Sequence, residues 1–237
     1  MRVEVWGDIN CPWCYIGKAR FEQALAGFEH REDVEVVHRS FELDPRAPRE
    51  ARPVLPLLAA KYGLSPEQAE AAEGRIAENA RGEGLPYLSD GRDAANSFDM
   101  HRLLHFAKDQ GRQAELLDAL YRANFADERS AFAAGRLIEL AVEAGLDGEA
   151  AAAVLADPEA YADAVREDEA TASAMGATGV PFFVLDRRLG VSGAQPVETF
   201  ARALEQAWES RTPVPLISVG GGDAHACGPD GCELPQQ

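Results

Sequence analysis

Strand-forming sequence occurs only towards the two ends of this chain, and that arrangement restricts the available folds more than any single residue does. Val3-Glu4-Val5-Trp6-Gly7 alternates as a strand does, and Glu35 to Leu43 is a second alternating, β-rich stretch. Between them Ile16, Phe21, Ala24, Leu25 and Phe28 keep helical spacing, so the first 44 residues read as a βαβ unit with parallel strands. The strand signal returns from Val180 to Leu185 and, after a turn at Asp186-Arg187-Arg188, from Leu189 to Ser192. A helix from about Pro196 to Trp208 follows.

Everything from Pro45 to about Gly176 is Ala-rich and helical in period. Its punctuation predicts a helix from the capping box Ser65-Pro66-Glu67-Gln68 to about Arg81, and others from Ser97 to Gly111 and from Arg112 to Phe125. Two more run from Ser130 to Gly145 and from Asp157-Pro158-Glu159 to Gly176. The apolar sets Leu103/Leu104, Leu116/Leu117/Leu120, Leu137/Ile138 and Val142 are the faces these helices bury against one another. The fold class is thus α/β, in the order βαβ, helical insertion, ββα. Residues 1–44 and 177–210 form one discontinuous domain, 45–176 an all-helical insertion, and 211–237, rich in Pro and Gly, a flexible tail.

With 23 Lys+Arg against 40 Asp+Glu the net charge is −17, and no basic run offers a face for phosphates. Nucleic acid and anionic membrane surfaces are excluded as partners on that ground. No segment has the roughly 20 apolar residues of a membrane span, and the first residues alternate charge with apolar groups, unlike a signal peptide. The expectation is a cytoplasmic protein. Structural disulfides are rare there, yet the four cysteines form two close pairs, which points to redox or metal chemistry.

Cys11-Pro12-Trp13-Cys14 sits where the first strand gives way to a helix. The unpaired N–H groups of a helix N-terminus favour a thiolate, so Cys11 is the candidate nucleophile. Cys14, one turn inward, is placed to resolve a mixed disulfide formed at Cys11. The other reading of this spacing is a zinc half-site, which needs two more ligands that are not near in sequence. No metal and no cofactor is expected.

The chain resembles the DsbA family of thioredoxin-fold disulfide oxidoreductases, and within it the FrnE-like branch. The resemblance rests on Cys11 to Lys18 (CPWCYIGK), Ser40 to Pro45 (SFELDP), Gly179 to Phe183 (GVPFF) and Ser192 to Gln195 (SGAQ), and covers the chain to about Trp208. It implies a thioredoxin fold split by the insertion, a nucleophilic first cysteine and a cis-proline loop facing it. Trp13 stands where the DsbA type sequence has histidine, so that family's strongly oxidising character is not carried over. Trp13 is either an exposed platform for substrate or packed against the insertion.

Pro181 opens an apolar strand, and X–Pro is the one bond for which the cis form is cheap. A cis bond after Val180 would turn the Val180 backbone towards Cys11, where a substrate peptide can pair with it as an added strand. The substrate-binding set is therefore Pro12, Trp13, Val180 and Pro181. In the tail, Cys227-Gly228-Pro229-Asp230-Gly231-Cys232 is built around a β-turn that brings Cys227 and Cys232 within disulfide reach. The pair reads as a secondary redox pair, a local bridge, or a metal site with His225. His101 and His105, one helical turn apart, lack the glutamate of a zinc-protease motif and are given a surface or capping role. The acidic excess is assigned to solvated surface.

The leading function is a thiol-disulfide oxidoreductase acting as reductase or isomerase, with disulfide-containing proteins or peptides as substrates and a thiol reductant or oxidant as partner. Kappa-class glutathione transferases and 2-hydroxychromene-2-carboxylate isomerases share the split fold. They typically carry serine where Cys11 stands. A non-enzymatic chaperone or zinc-binding module is the third reading.

Overall fold

The computed structural model describes residues 1–127 and 129–211. The order of elements is β1 (Arg2–Gly7), α1 (Pro12–Ala26), β2 (Glu35–Ser40), β3 (Arg52–Pro53), α2 (Val54–Tyr62), α3 (Pro66–Gly82), β4 (Asp93–Ala94) and α4 (Phe98–Asp109). Then come α5 (Gln113–Ala126), α6 (Ala134–Glu143), α7 (Gly148–Ala156), α8 (Ala162–Ala174), β5 (Phe182–Leu185), β6 (Leu189–Ser192) and α9 (Val197–Glu209). The main sheet has the order β2-β1-β5-β6, with β1 parallel to β2 and antiparallel to β5. This is the thioredoxin-type βαβ…ββα frame with a large helical insertion.

Alternation along β1 decides what each face meets. Val3 and Val5 enter an apolar layer with Phe21 of α1, Phe28 just beyond it, Phe183 of β5 and Phe200 and Leu204 of α9. Glu4 and Trp6 point to the other face, where Trp6 packs with Ala172 of α8 and its ring N–H donates to the Asp168 carbonyl at 2.8 Å. The insertion has its own core, and that core also contains Cys11, Cys14, Tyr15 and Ile16. The cysteine motif therefore lies in the seam between the two packing units.

A buried polar cluster ties α8 to the sheet. Asp168 accepts from the Ser40 N–H at 2.9 Å and from Arg39 at 2.9 Å, and lies 3.1 Å from His105 Nε2; Arg39 also reaches Glu4 at 2.7 Å. Burial alone would raise the pKa of Asp168, but His105, the Ser40 N–H and Arg39 outweigh it and hold the carboxyl below its ordinary range.

Several sequence expectations need correction. The insertion is not wholly helical, because Arg52–Pro53 pairs antiparallel with Asp93–Ala94. The second strand ends at Ser40, since the chain then turns to bond Asp8. Ser130 does not open α6, which starts at Ala134 after an irregular stretch; Asp157 instead forms a turn to the Glu159 N–H, and α8 starts only after Tyr161. Two helices, α2 and α7, were unforeseen. Val142 is exposed rather than packed, and Glu4, Asp8, Glu42, Glu73 and Asp168 are buried, so the acidic excess is not all solvated surface. The capping box at Ser65 is formed as expected. The tail, 212–237, lies outside the described residues.

Candidate active site

Cys11 is the N-cap residue of α1, with Pro12 opening the helix, and its carbonyl accepts from the Cys14 and Tyr15 N–H groups at 3.0 and 3.3 Å. The loop before it is anchored at three points. The Asp8 carboxylate accepts from the Asn10 N–H at 3.1 Å and the Leu43 N–H at 2.7 Å. Asn10 donates to the Ala95 carbonyl, and Asn124 of α5 donates to that of Ile9, each at 2.8 Å. The insertion and the segment after β2 thus both hold the cysteine loop.

The Val180–Pro181 peptide is cis, and the Val180 carbonyl faces the Cys11 thiol, with an S···O distance of 3.7 Å. The Gly193 N–H donates to the Pro181 carbonyl at 2.8 Å, and Arg20 of α1 reaches the Ala194 carbonyl at 2.8 Å and Glu83 at 2.6 Å. Gly17 is required here, because a β-carbon on it would lie 2.9 Å from Pro181 Cγ. Three of the four segments that carried the family resemblance meet at this point, and the fourth, Ser40 to Pro45, supplies the N–H that binds Asp8.

Both sulfurs are nearly closed off from solvent: Cys11 is 4% exposed and Cys14 3%. Burial pushes the Cys14 thiol well above the ordinary cysteine range, and the Cys11 sulfur and Asp8 carboxylate push it the same way, with only the Asp8 N–H opposing them. Trp13, between the two cysteines in sequence, is 38% exposed, and Leu43, whose N–H donates to Asp8, is also exposed.

His101 and His105 are buried, contrary to the surface role given to them. His101 lies 3.5 Å from Asp8, with neither ring nitrogen in a hydrogen bond among the described residues, and His105 joins Ser40 and Asp168. Burial raises the Asp8 pKa, but His101 and the two N–H donors outweigh it, so the carboxyl sits below its usual range. Asp8, Asn10 and Gly17 were missed as site residues. Their signal was proximity to the cysteine motif, which says nothing about which way a side chain turns. Among the described residues no group of three His, Cys, Asp or Glu side chains is placed to hold a metal ion. Cys227 and Cys232 lie outside the described residues.

The DSBA-like thioredoxin domain family model matches residues 2–205. The chain belongs to that family. Among solved structures, a probable DsbA oxidoreductase from Streptomyces coelicolor is 62% identical, with full coverage of both chains and a TM-score of 0.90. A 2-hydroxychromene-2-carboxylate isomerase is 15% identical over 88% of this chain and 97% of its own, with a TM-score of 0.63. The cytosolic disulfide reductase DsbM from Pseudomonas aeruginosa, solved with GSH, is 18% identical over 88% of this chain and 100% of its own, with a TM-score of 0.61. The last two show the fold alone, and they show that reductases and isomerases share it. DsbA-like membership makes this chain a thiol-disulfide oxidoreductase in general terms.

Proposed function

We propose that this DsbA-like chain is a cytosolic disulfide reductase or isomerase of the FrnE-like branch, working through Cys11 and Cys14. The observation that carries the reading is the Cys11 sulfur at a helix N-terminus, facing the Val180 carbonyl, with a high-pKa Cys14 buried behind it. The Cys11 thiolate attacks one sulfur of a substrate disulfide and the other leaves as a thiolate. Cys14 then gives up its proton and attacks the Cys11 sulfur, which releases the second substrate thiol and leaves the Cys11–Cys14 disulfide. A thiol reductant returns the pair to the dithiol.

The substrate chain pairs with the backbone at Val180 as an added strand, and Pro12, Pro181 and the exposed Trp13 and Leu43 supply apolar contacts beside it. In a reducing cytosol the pair rests as dithiol, which suits reduction and isomerisation better than net oxidation. Cysteine at position 11 separates this reading from the isomerases with the same fold. The test is insulin-disulfide reduction by the parent chain, Cys11→Ser and Cys14→Ser, with partner trapping in cells by the last. Cys11→Ser should lose turnover, and Cys14→Ser should accumulate mixed disulfides with cytosolic proteins. Turnover by Cys11→Ser at the parental rate would overturn the assignment.

A further inference from the structure

Cys14 borders a small cavity of about 20 Å³ whose wall also includes Gly7, Lys18, His38, Ser40, Gln113 and Tyr121. One water needs roughly 10–15 Å³ of such space, with polar partners around it. Val5, Lys18, His38 and Gln113 line a neighbouring cleft of about 290 Å³ as well, so the two spaces share a wall. The missing side chain of Gly7 makes the room: a β-carbon there would lie 3.5 Å from Cys14 Sγ and 3.3 Å from Tyr121 Oη. The sulfur and the phenol therefore border the same space, within reach of one shared water.

Tyr121 belongs to α5 of the insertion, and its ring is fixed against Tyr15 and Phe125, with centroids 5.5 and 6.1 Å away. The charged and titratable groups around it are Cys14 and Cys11 of the motif, Asp8 from the loop before it and Asp118 from its own helix; Lys18, bound to Asp118 at 2.6 Å, His38 and Arg39 also line the cavity. Burial and those negative groups push the Tyr121 ionisation well above the ordinary tyrosine range, so the hydroxyl keeps its proton and is available as a donor. No role in the exchange chemistry has so far fallen to the insertion beyond holding the loop.

We infer that one water in this cavity carries away the proton that Cys14 releases, and that the Tyr121 hydroxyl stabilises the Cys14 thiolate by donating a hydrogen bond through that water. This rests on the reading of Cys14 as the resolving thiol. In the forward step Cys14 S–H passes its proton through the water to solvent, its sulfur bonds to that of Cys11, and the substrate thiolate leaves and takes up a proton. When a substrate thiolate opens the Cys11–Cys14 disulfide, Cys14 is the leaving group, and the same hydroxyl donates to it.

The full chain carrying Cys227→Ser and Cys232→Ser, mixed with one equivalent of 5,5′-dithiobis(2-nitrobenzoate), reports both steps. The first nitrothiobenzoate leaves when Cys11 attacks, and the second when Cys14 displaces it. Tyr121→Phe keeps the ring and should leave the first phase unchanged. It should slow the second about tenfold and move its pH profile up by roughly one unit, the size expected for a lost hydrogen bond to a charged sulfur. Gly7→Ala fills the space while leaving the Tyr121 hydroxyl in the chain and should slow the same phase, which keeps the test intact if Tyr121→Phe fails to fold. Tyr161→Phe, whose hydroxyl donates to Asp109 outside this cavity, should match the parent in both phases. A second phase at the parental rate in a folded Tyr121→Phe or Gly7→Ala chain, or equal slowing of both phases, overturns the proposal. If the parent itself releases no second equivalent, it is instead the assignment of Cys14 that falls.

Discussion

Replacing Gly17 by alanine isolates the contact between the active-site helix and the proline loop. The new β-carbon would lie 2.9 Å from Pro181 Cγ and 3.3 Å from Ala194 Cα and Cβ. Ordinary carbon contacts are ~3.5–4.0 Å, so the loop must retreat by roughly 0.6–1 Å. The neighbouring Cys11 sulfur and Val180 carbonyl, 3.7 Å apart, then separate beyond contact. Overpacking of this kind costs ~1–3 kcal/mol, and alanine recovers about 0.5–1 kcal/mol of helix propensity. The net loss of stability is therefore about 0–2.5 kcal/mol, equivalent to at most ~10 °C in Tm for a chain of this size. Turnover is hit harder, since misplacement by about 1 Å costs on the order of 100-fold. Urea denaturation and insulin-disulfide turnover on the same preparation separate the two effects. A variant that unfolds earlier but turns over within about twofold of the parent would refute the claim that this contact positions the loop.

Brief iodoacetamide treatment at neutral pH, read by mass spectrometry, should label Cys11 well before Cys14, because Cys14 remains a thiol there; equal labelling would sink the assignment. Asp168→Asn should destabilise by ~3–5 kcal/mol, the cost of removing one partner from a buried ion pair. Since the folded pKa of Asp168 is depressed, its contribution is complete above the unfolded value near pH 4 and fades as pH falls through the folded one. The gap between parent and variant in urea titrations should accordingly narrow below about pH 4; a gap that widens there contradicts the assignment. Truncation after Ser210 should leave folding and Cys11 labelling intact while changing the rate at which Cys11 and Cys14 are re-reduced, if the tail pair exchanges with them. Identical kinetics in both chains would remove Cys227 and Cys232 from the redox cycle.

The frame was legible because alternation and turn chemistry are local. The strands from Leu189 to Ser192 and around Val3 to Gly7, the capping box at Ser65 and the cysteine motif all carry their meaning within a few residues. α7 was passed over although Asp147 caps it, its side chain accepting from the Ala150 N–H at 2.7 Å; a run of alanines offers no contrast between faces. α2 has Pro53 as its N-cap and Pro56 inside, residues that ordinarily signal a loop. The histidines and Asp8 were misplaced for a different reason. A polar side chain in a sequence reads as surface unless its partners are known, and those partners lie on β2, α8 and the segment at Leu43. Tyr121 gave no signal at all, since one aromatic on an apolar helix face reads as packing.

The neighbours of β1 in the sheet are very unequal in when they arrive. β2 follows at once, but β5 comes only after the whole of residues 8–181. At ~5–20 residues per second of synthesis that delay is roughly 10–35 s. Throughout it, β1 exposes an unpaired edge lined with Val3, Val5 and Trp6, the kind of template on which chains stick to one another. The helices of the insertion, rich in local contacts, have time to assemble meanwhile. Since their core already includes Cys11 and Cys14, the nascent chain shelters its reactive sulfurs before it closes its own sheet.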